Sequence, residues 1–370
     1  MLYYPILNYG LYKSGWTFAT RLGYYPRGGN DMRKLVWLGN ENFMIEHLSG
    51  SPPRPRENEV LLKVRSVGIC GTDIHILKGA LPSARPPMVL GHEISGEIAS
   101  TGKNVRHVQE GDRVTVDAVV GCGYCSLCRC SRSQFCEKGF EFGISRDGGC
   151  QDYLVLPQEN AYAIPSTMSF EEAAMLDMEV YNAVAKCGID AGDSVLILGA
   201  GPIGLIACQV ARILGAGNTT LGDVLENRLS FAETLGMADA YSPIPANFSS
   251  TFNSGEPDGP FDVVIDCAGT SGSVKYALRA ARPCGRVLLY GVYEHAVDQL
   301  DLNLVVLKDL VLYGSQSDRN GWEDIIDLVN SGSLDLKSLI THRFTLEDAP
   351  KGYGLVHRRD PSAIKAVLLL

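Results

Sequence analysis

Asp193-Ser-Val-Leu-Ile-Leu-Gly199-Ala-Gly201-Pro202-Ile203-Gly204 is the stretch on which the fold turns. An apolar run of strand length ends in G-x-G-x-x-G, and a helical run over 205–214 follows. The order of strand, glycine turn and helix gives the motif its meaning. Gly199 permits the tight turn, Gly201 lets a pyrophosphate approach the backbone, and Gly204 lets strand and helix pack closely. Pro202 and Ile203 complete the turn, and the N-terminus of the helix it opens offers N–H groups and a positive dipole end to the phosphates. Asp223 comes roughly 20 residues on, at the end of the next strand, where an acid accepts hydrogen bonds from ribose hydroxyls and repels a 2′-phosphate. Val224 and Leu225 follow it rather than a basic residue, so NAD is expected rather than NADP. Arg228 is placed to lie against the adenine or to pair with Asp223. Residues 194–211 carry no charge, but three glycines and Pro202 interrupt them, which argues for strand, turn and helix over a membrane span of ~20 apolar residues.

Downstream, apolar runs recur at 219–222, 261–265, 286–290 and 310–313, with helical stretches at 228–235 and 273–280 between them. Strands alternating with helices predict βαβ units and a doubly wound parallel sheet, an α/β fold. A helix over 322–330 and a closing strand over 363–370 complete the chain. Upstream, 32–165 is β-rich, with alternating runs such as Glu59-Val-Leu-Leu-Lys-Val-Arg65 set between Gly, Pro and Asn turns. Ser169 and Glu172 have the spacing of a capping box at a helix start. The expected domains are a β-rich catalytic domain over 32–182, a dinucleotide-binding domain over 183–320, and a return to the first over 321–370. Residues 1–31 are rich in Tyr and Gly and have no acid before Asp31. They read as an N-terminal extension, with an organelle leader as the other reading.

Composition narrows the partners. Of 370 residues, 45% are hydrophobic and 20% charged, which suits a soluble two-domain protein. The net charge of −9 argues against nucleic acid, and no Lys/Arg block suggests a membrane surface. There are eleven cysteines, and the five clustered within 122–136, in a chain without a secretory signal, read as metal ligands in a reducing, cytoplasmic setting.

Cys122-x2-Cys125-x2-Cys128-x7-Cys136 can close a tetrahedral shell around Zn2+, a structural role, with Cys130 spare by spacing. An iron–sulfur cluster is the rival for four cysteines. Further upstream lie Cys70-Gly-Thr72-Asp73-Ile-His75 and Gly91-His92-Glu93. Cys70 and His92 suit a catalytic zinc that keeps an open position, and Glu93 and Asp177 are the acidic candidates for the third ligand.

These motifs, in this order from about Met32 to Leu370, resemble the zinc-containing medium-chain dehydrogenases, which include alcohol, sorbitol and threonine dehydrogenases. The resemblance implies a GroES-like barrel interrupted by a Rossmann domain, an active site in the cleft between them, and a homodimer or homotetramer. It also implies a catalytic zinc on Cys70, His92 and Glu93 or Asp177, a structural zinc on Cys122, Cys125, Cys128 and Cys136, and NAD on the glycine turn. Asp177-Met178 stands where many polyol-type members have Glu-Pro. The expected reaction is hydride transfer between a secondary alcohol, polyol or amino alcohol and NAD, in either direction. Zinc lowers the pKa of the hydroxyl, Thr72 takes its proton, and His75 releases that proton to solvent. A zinc hydrolase is the rival from another class, and the dinucleotide turn argues against it.

Overall fold

A computed structural model describes residues 10–11, 17–18, 32–176, 178–244, 259–316 and 321–370. The chain divides into two compact units. One takes the described residues up to Leu176 and returns at Ile340–Leu370, and the other takes the described residues between. The expected extension over 1–31 lies almost wholly outside the described residues.

The first unit is built around strand Glu59–Ile69, whose apolar positions are buried nearly throughout. It pairs antiparallel with Glu93–Thr101 on one side and with Lys365–Leu369 on the other. Arg113–Val116 and Ala161–Ala163 continue the sheet beyond Glu93–Thr101, and Ile340–Thr345 continues it beyond Lys365–Leu369. The second sheet centres on the hairpin of Met32–Gly39 with Asn42–Leu48. The Leu35 N–H donates to the Cys150 carbonyl and the Asp152 N–H to the Arg33 carbonyl, which ties the two sheets together. Leu35, Trp37, Phe43, Leu62, Ile94 and Tyr353 share one core between them. Each such buried side chain contributes roughly 1.5–3 kcal/mol relative to exposure.

The second unit carries a six-stranded sheet in the spatial order Ala240–Pro243, Asn218–Asp223, Ser194–Leu198, Phe261–Asp266, Ala281–Leu289, Val311–Gly314. Every neighbouring pair is parallel. The first strand lies inside the sheet, which grows outward on both sides of it, so a switch point falls between Ser194–Leu198 and Phe261–Asp266. Both strands are nearly continuous apolar runs, as burial on two faces demands. The edge strand Ala240–Pro243 is short and half-exposed and had no periodic signal in the sequence.

The boundaries differ from those expected. Helix Met178–Lys186 spans position 182, and helix Trp322–Asn330 belongs to the second unit, so the return comes at Ile340 rather than at 321. The physical reason is that Trp322, Ile325, Ile326 and Val329 form a buried stripe, and this helix packs on Met178–Lys186.

Candidate active site

Strand Glu59–Ile69 ends directly at Cys70, which is the N-cap of helix Gly71–Leu77. Asp73, three residues on, accepts a hydrogen bond from the Cys70 N–H at 3.0 Å and so fixes the start of the helix. Asp73 is fully buried, and its other oxygen lies 3.6 Å from His92 Nδ1. His92 and Glu93 enter from the start of strand Glu93–Thr101. Gly91 precedes them with φ +92°, and a Cβ there would stand 2.7 Å from Val67 Cγ1 and 2.8 Å from Cys150 Sγ, so only glycine fits.

The ligand atoms of Cys70, His92 and Glu93 all lie within 4.8 Å of one another. Burial opposes a charge on His92, but the nearby Asp73 carboxylate and Cys70 thiol raise its pKa well above the usual histidine value. A soft sulfur, an imidazole and a carboxylate whose ligand atoms meet this closely form a donor set that a zinc ion fits. Thr72 Oγ1 lies 3.6 Å from Cys70 Sγ. His75 is three residues further along the same helix, on the same side, and is half-buried. Asp177 lies outside the described residues.

Cys122, Cys125, Cys128 and Cys136 also converge, with their sulfurs within 4.8 Å of one another. Cys122 Sγ is 3.9 Å from Cys128 Sγ, and Cys125 Sγ is 3.9 Å from Cys136 Sγ. A tetrahedral shell with Zn–S bonds of about 2.3 Å has sulfurs about 3.8 Å apart, so the four thiols fit zinc. The Cys122 and Cys128 backbone N–H groups donate to Cys136 Sγ and Cys125 Sγ at 3.4 Å each. Backbone hydrogen bonds, first from Tyr124, lower the Cys122 thiol to about 6. Cys130 is exposed and is not one of the four.

In the second unit, Gly199 has φ +103° and donates its N–H to the Gly222 carbonyl at 2.7 Å. Gly201 is the N-cap of helix Pro202–Ile213, with Pro202 and Ile203 in its first turn. A Cβ on Gly204 would stand 1.8 Å from the Gly199 carbonyl oxygen, so close strand–helix packing requires this glycine. A Cβ on Gly201 would meet nothing nearer than Arg228 Nη1 at 3.9 Å, which leaves the turn open on that side and puts the guanidinium over it. Asp223 is buried, and its two oxygens accept from the Ala200 N–H at 2.6 Å and the Leu225 N–H at 2.8 Å. The acid therefore clips the glycine turn to the second strand, a role its position in the sequence did not reveal.

Three further residues went unassigned from the sequence. Asp73 stood inside the quoted motif, and its spacing from Cys70 was the available signal. Lys365 pairs with Glu93, and its signal was a lone charge in an apolar run. Burial pushes the Glu141 carboxyl up against the attraction of His92, and nothing in its short strand Phe140–Glu141 marked it.

The alcohol dehydrogenase GroES-like domain matches residues 56–166, and the zinc-binding dehydrogenase family matches residues 202–331. L-threonine 3-dehydrogenase of Cronobacter sakazakii is 36% identical over 310 residues, covering 81% of this chain and 89% of that one. A Sinorhizobium meliloti 1021 protein assigned as a zinc-binding dehydrogenase, solved with NADP, superposes with a TM-score of 0.81 at 30% identity over 92% of this chain and 100% of that one. A short chain alcohol dehydrogenase of E. coli CFT073, solved with NADH, has a TM-score of 0.78 at 29% identity over 92% and 100% of the two chains. The chain belongs to the zinc-containing medium-chain dehydrogenase family. Among the described residues no helix is long and apolar enough to cross a membrane.

Proposed function

We propose that the protein oxidises a secondary alcohol on a small polyol or amino alcohol to the carbonyl, with NAD as the hydride acceptor. The observation that carries this reading is the convergence of Cys70, His92 and Glu93 beside the Thr72 hydroxyl. Cys70 and His92 would hold the catalytic zinc, with Glu93 or Asp177 completing the shell. The metal supplies Lewis acidity that lowers the pKa of the substrate hydroxyl. Thr72 Oγ1 takes the hydroxyl proton, and His75, on the same helix, passes it toward solvent. NAD, when bound, would supply the acceptor for the hydride from the substrate carbon, with the hydroxyl proton leaving by Thr72 and His75. Asp73 orients the His92 ring and the Cys70 backbone. Gly199, Gly201, Gly204 and the N–H groups at Pro202–Ile213 receive the pyrophosphate, while Asp223 takes the ribose hydroxyls and disfavours NADP. Arg228 stands over the turn against the adenosine. The four-cysteine lobe holds the structural zinc.

The threonine dehydrogenase relatives make L-threonine the first amino alcohol to try. Protein supplied with NAD is screened against L-threonine, secondary alcohols and polyols by the absorbance of reduced nicotinamide, with and without a chelator. Chelator-sensitive NADH formation supports the reading, and NAD-independent hydrolysis of an ester panel would replace it.

The protein acts as a cytoplasmic homo-oligomer in this reading. Strand Val311–Gly314 is the edge of its sheet, and Val306 and Leu307 beside it are 76% and 83% exposed, which suits pairing with a second copy. Sedimentation of a monomer at micromolar concentration would contradict it.

A further inference from the structure

Lys365 opens the closing strand Lys365–Leu369 and is buried, in a run otherwise apolar. Its Nζ lies 2.6 Å from Glu93 Oε1 and 2.5 Å from Oε2, so both carboxylate oxygens face one ammonium. The two residues are not on adjacent strands. Glu59–Ile69 runs between them, paired with one neighbour at Gly68–Glu93 and with the other at Gly68–Val367. The Glu93 side chain lies across this middle strand at Gly68, where a Cβ would stand 1.8 Å from Oε2 and 2.9 Å from Cδ. The ion pair therefore passes over a gap that only glycine leaves. The same carboxylate is within 4.8 Å of the Cys70 and His92 ligand atoms. One half-buried carboxylate thus lies within reach of two cations, the Lys365 ammonium and a metal held by Cys70 and His92.

We infer that Lys365 is a positioning residue: through the gap at Gly68 it holds the Glu93 carboxylate back from the metal and keeps the substrate position open. This rests on the zinc reading above, in the form in which Asp177 rather than Glu93 completes the shell. A carboxylate with one oxygen fully buried, as Glu93 Oε2 is, favours a counter-charge beside it. Lys365 provides one; without the ammonium, the metal takes that part, and oxygen is a good zinc ligand. Glu93 would then occupy the place a substrate hydroxyl needs.

The test uses the full chain with zinc in the four-cysteine lobe and Co2+ at the Cys70 site, whose visible absorption reports coordination number. Lys365→Met is expected to weaken and shift that absorption as a ligand is added. Metal release to a chelator should slow roughly 10-fold or more, the scale on which groups beyond the ligands tune metal affinity. In the zinc enzyme KM for the alcohol rises, because substrate must displace the carboxylate, while kcat changes less. Adding Glu93→Gln to Lys365→Met restores the wild-type spectrum and release rate, and Lys365→Arg retains both. Gly68→Ala displaces the carboxylate while leaving Lys365 in place, so it gives the same spectral change and serves where Lys365→Met does not fold. An unchanged spectrum and release rate in folded Lys365→Met, or faster release, overturns the inference. A wild-type chain that takes up metal in the lobe but none at Cys70 overturns the zinc reading itself, an outcome separate from any effect of Lys365.

Discussion

Asp73 accepts from the Cys70 backbone with one oxygen and faces the His92 ring with the other, without reaching the ligand position itself. Groups of this kind set the orientation of metal ligands. Asp73→Asn should therefore leave the fold intact and weaken zinc retention at the Cys70 site by roughly 10–100-fold, measured by competition with a chelator. Asp223 makes a second case. Its carboxylate already receives two backbone N–H groups, and an amide would turn a donor toward one of them. Asp223→Asn should lower kcat/KM for NAD by roughly ten-fold, the scale of one charge-assisted hydrogen bond, and narrow the preference over NADP. Equal losses with both cofactors would contradict the ribose role. At this scale residue type and spacing made Cys70, His92 and the four lobe cysteines legible. Lys365 was not, because its partner is 272 positions away in the chain and only the sheet brings them together. Asp177, a candidate on type and position, lies outside the described residues.

Among the elements, the glycine turn was the most legible, because each glycine answers a local need: φ +103° at Gly199, and at Gly204 a contact that excludes Cβ. The capping box at Ser169 and Glu172 was equally local, and both reciprocal hydrogen bonds are present. What could not be read was which unit an amphipathic helix would join. Trp322–Asn330 shows its apolar stripe plainly, but the stripe says that it packs and not upon what. The lobe over 122–136 is different again. Its two short helical turns bury almost no apolar side chain, so it has little core of its own. Cys128→Ser should release the lobe zinc and lower unfolding stability by about 2 kcal/mol or more, seen as an earlier thermal transition. An unchanged midpoint with zinc still bound would show that the other three cysteines suffice.

Across the whole molecule, the parallel sheet of the second unit and the β-rich first unit follow from period and punctuation, and the acidic balance agrees with a small-molecule enzyme. The meeting of Cys70 with His92 and of Lys365 with Glu93 needed three strands brought into register, information that no local window holds. The most direct test of the central claim is zinc content and turnover of Cys70→Ser beside the wild type, with NAD binding measured by calorimetry. The two candidate zinc groups among the described residues should fall to one, NADH formation should drop to background, and NAD affinity should stay as it was. A Cys70→Ser protein that keeps both metals and full turnover would contradict the account.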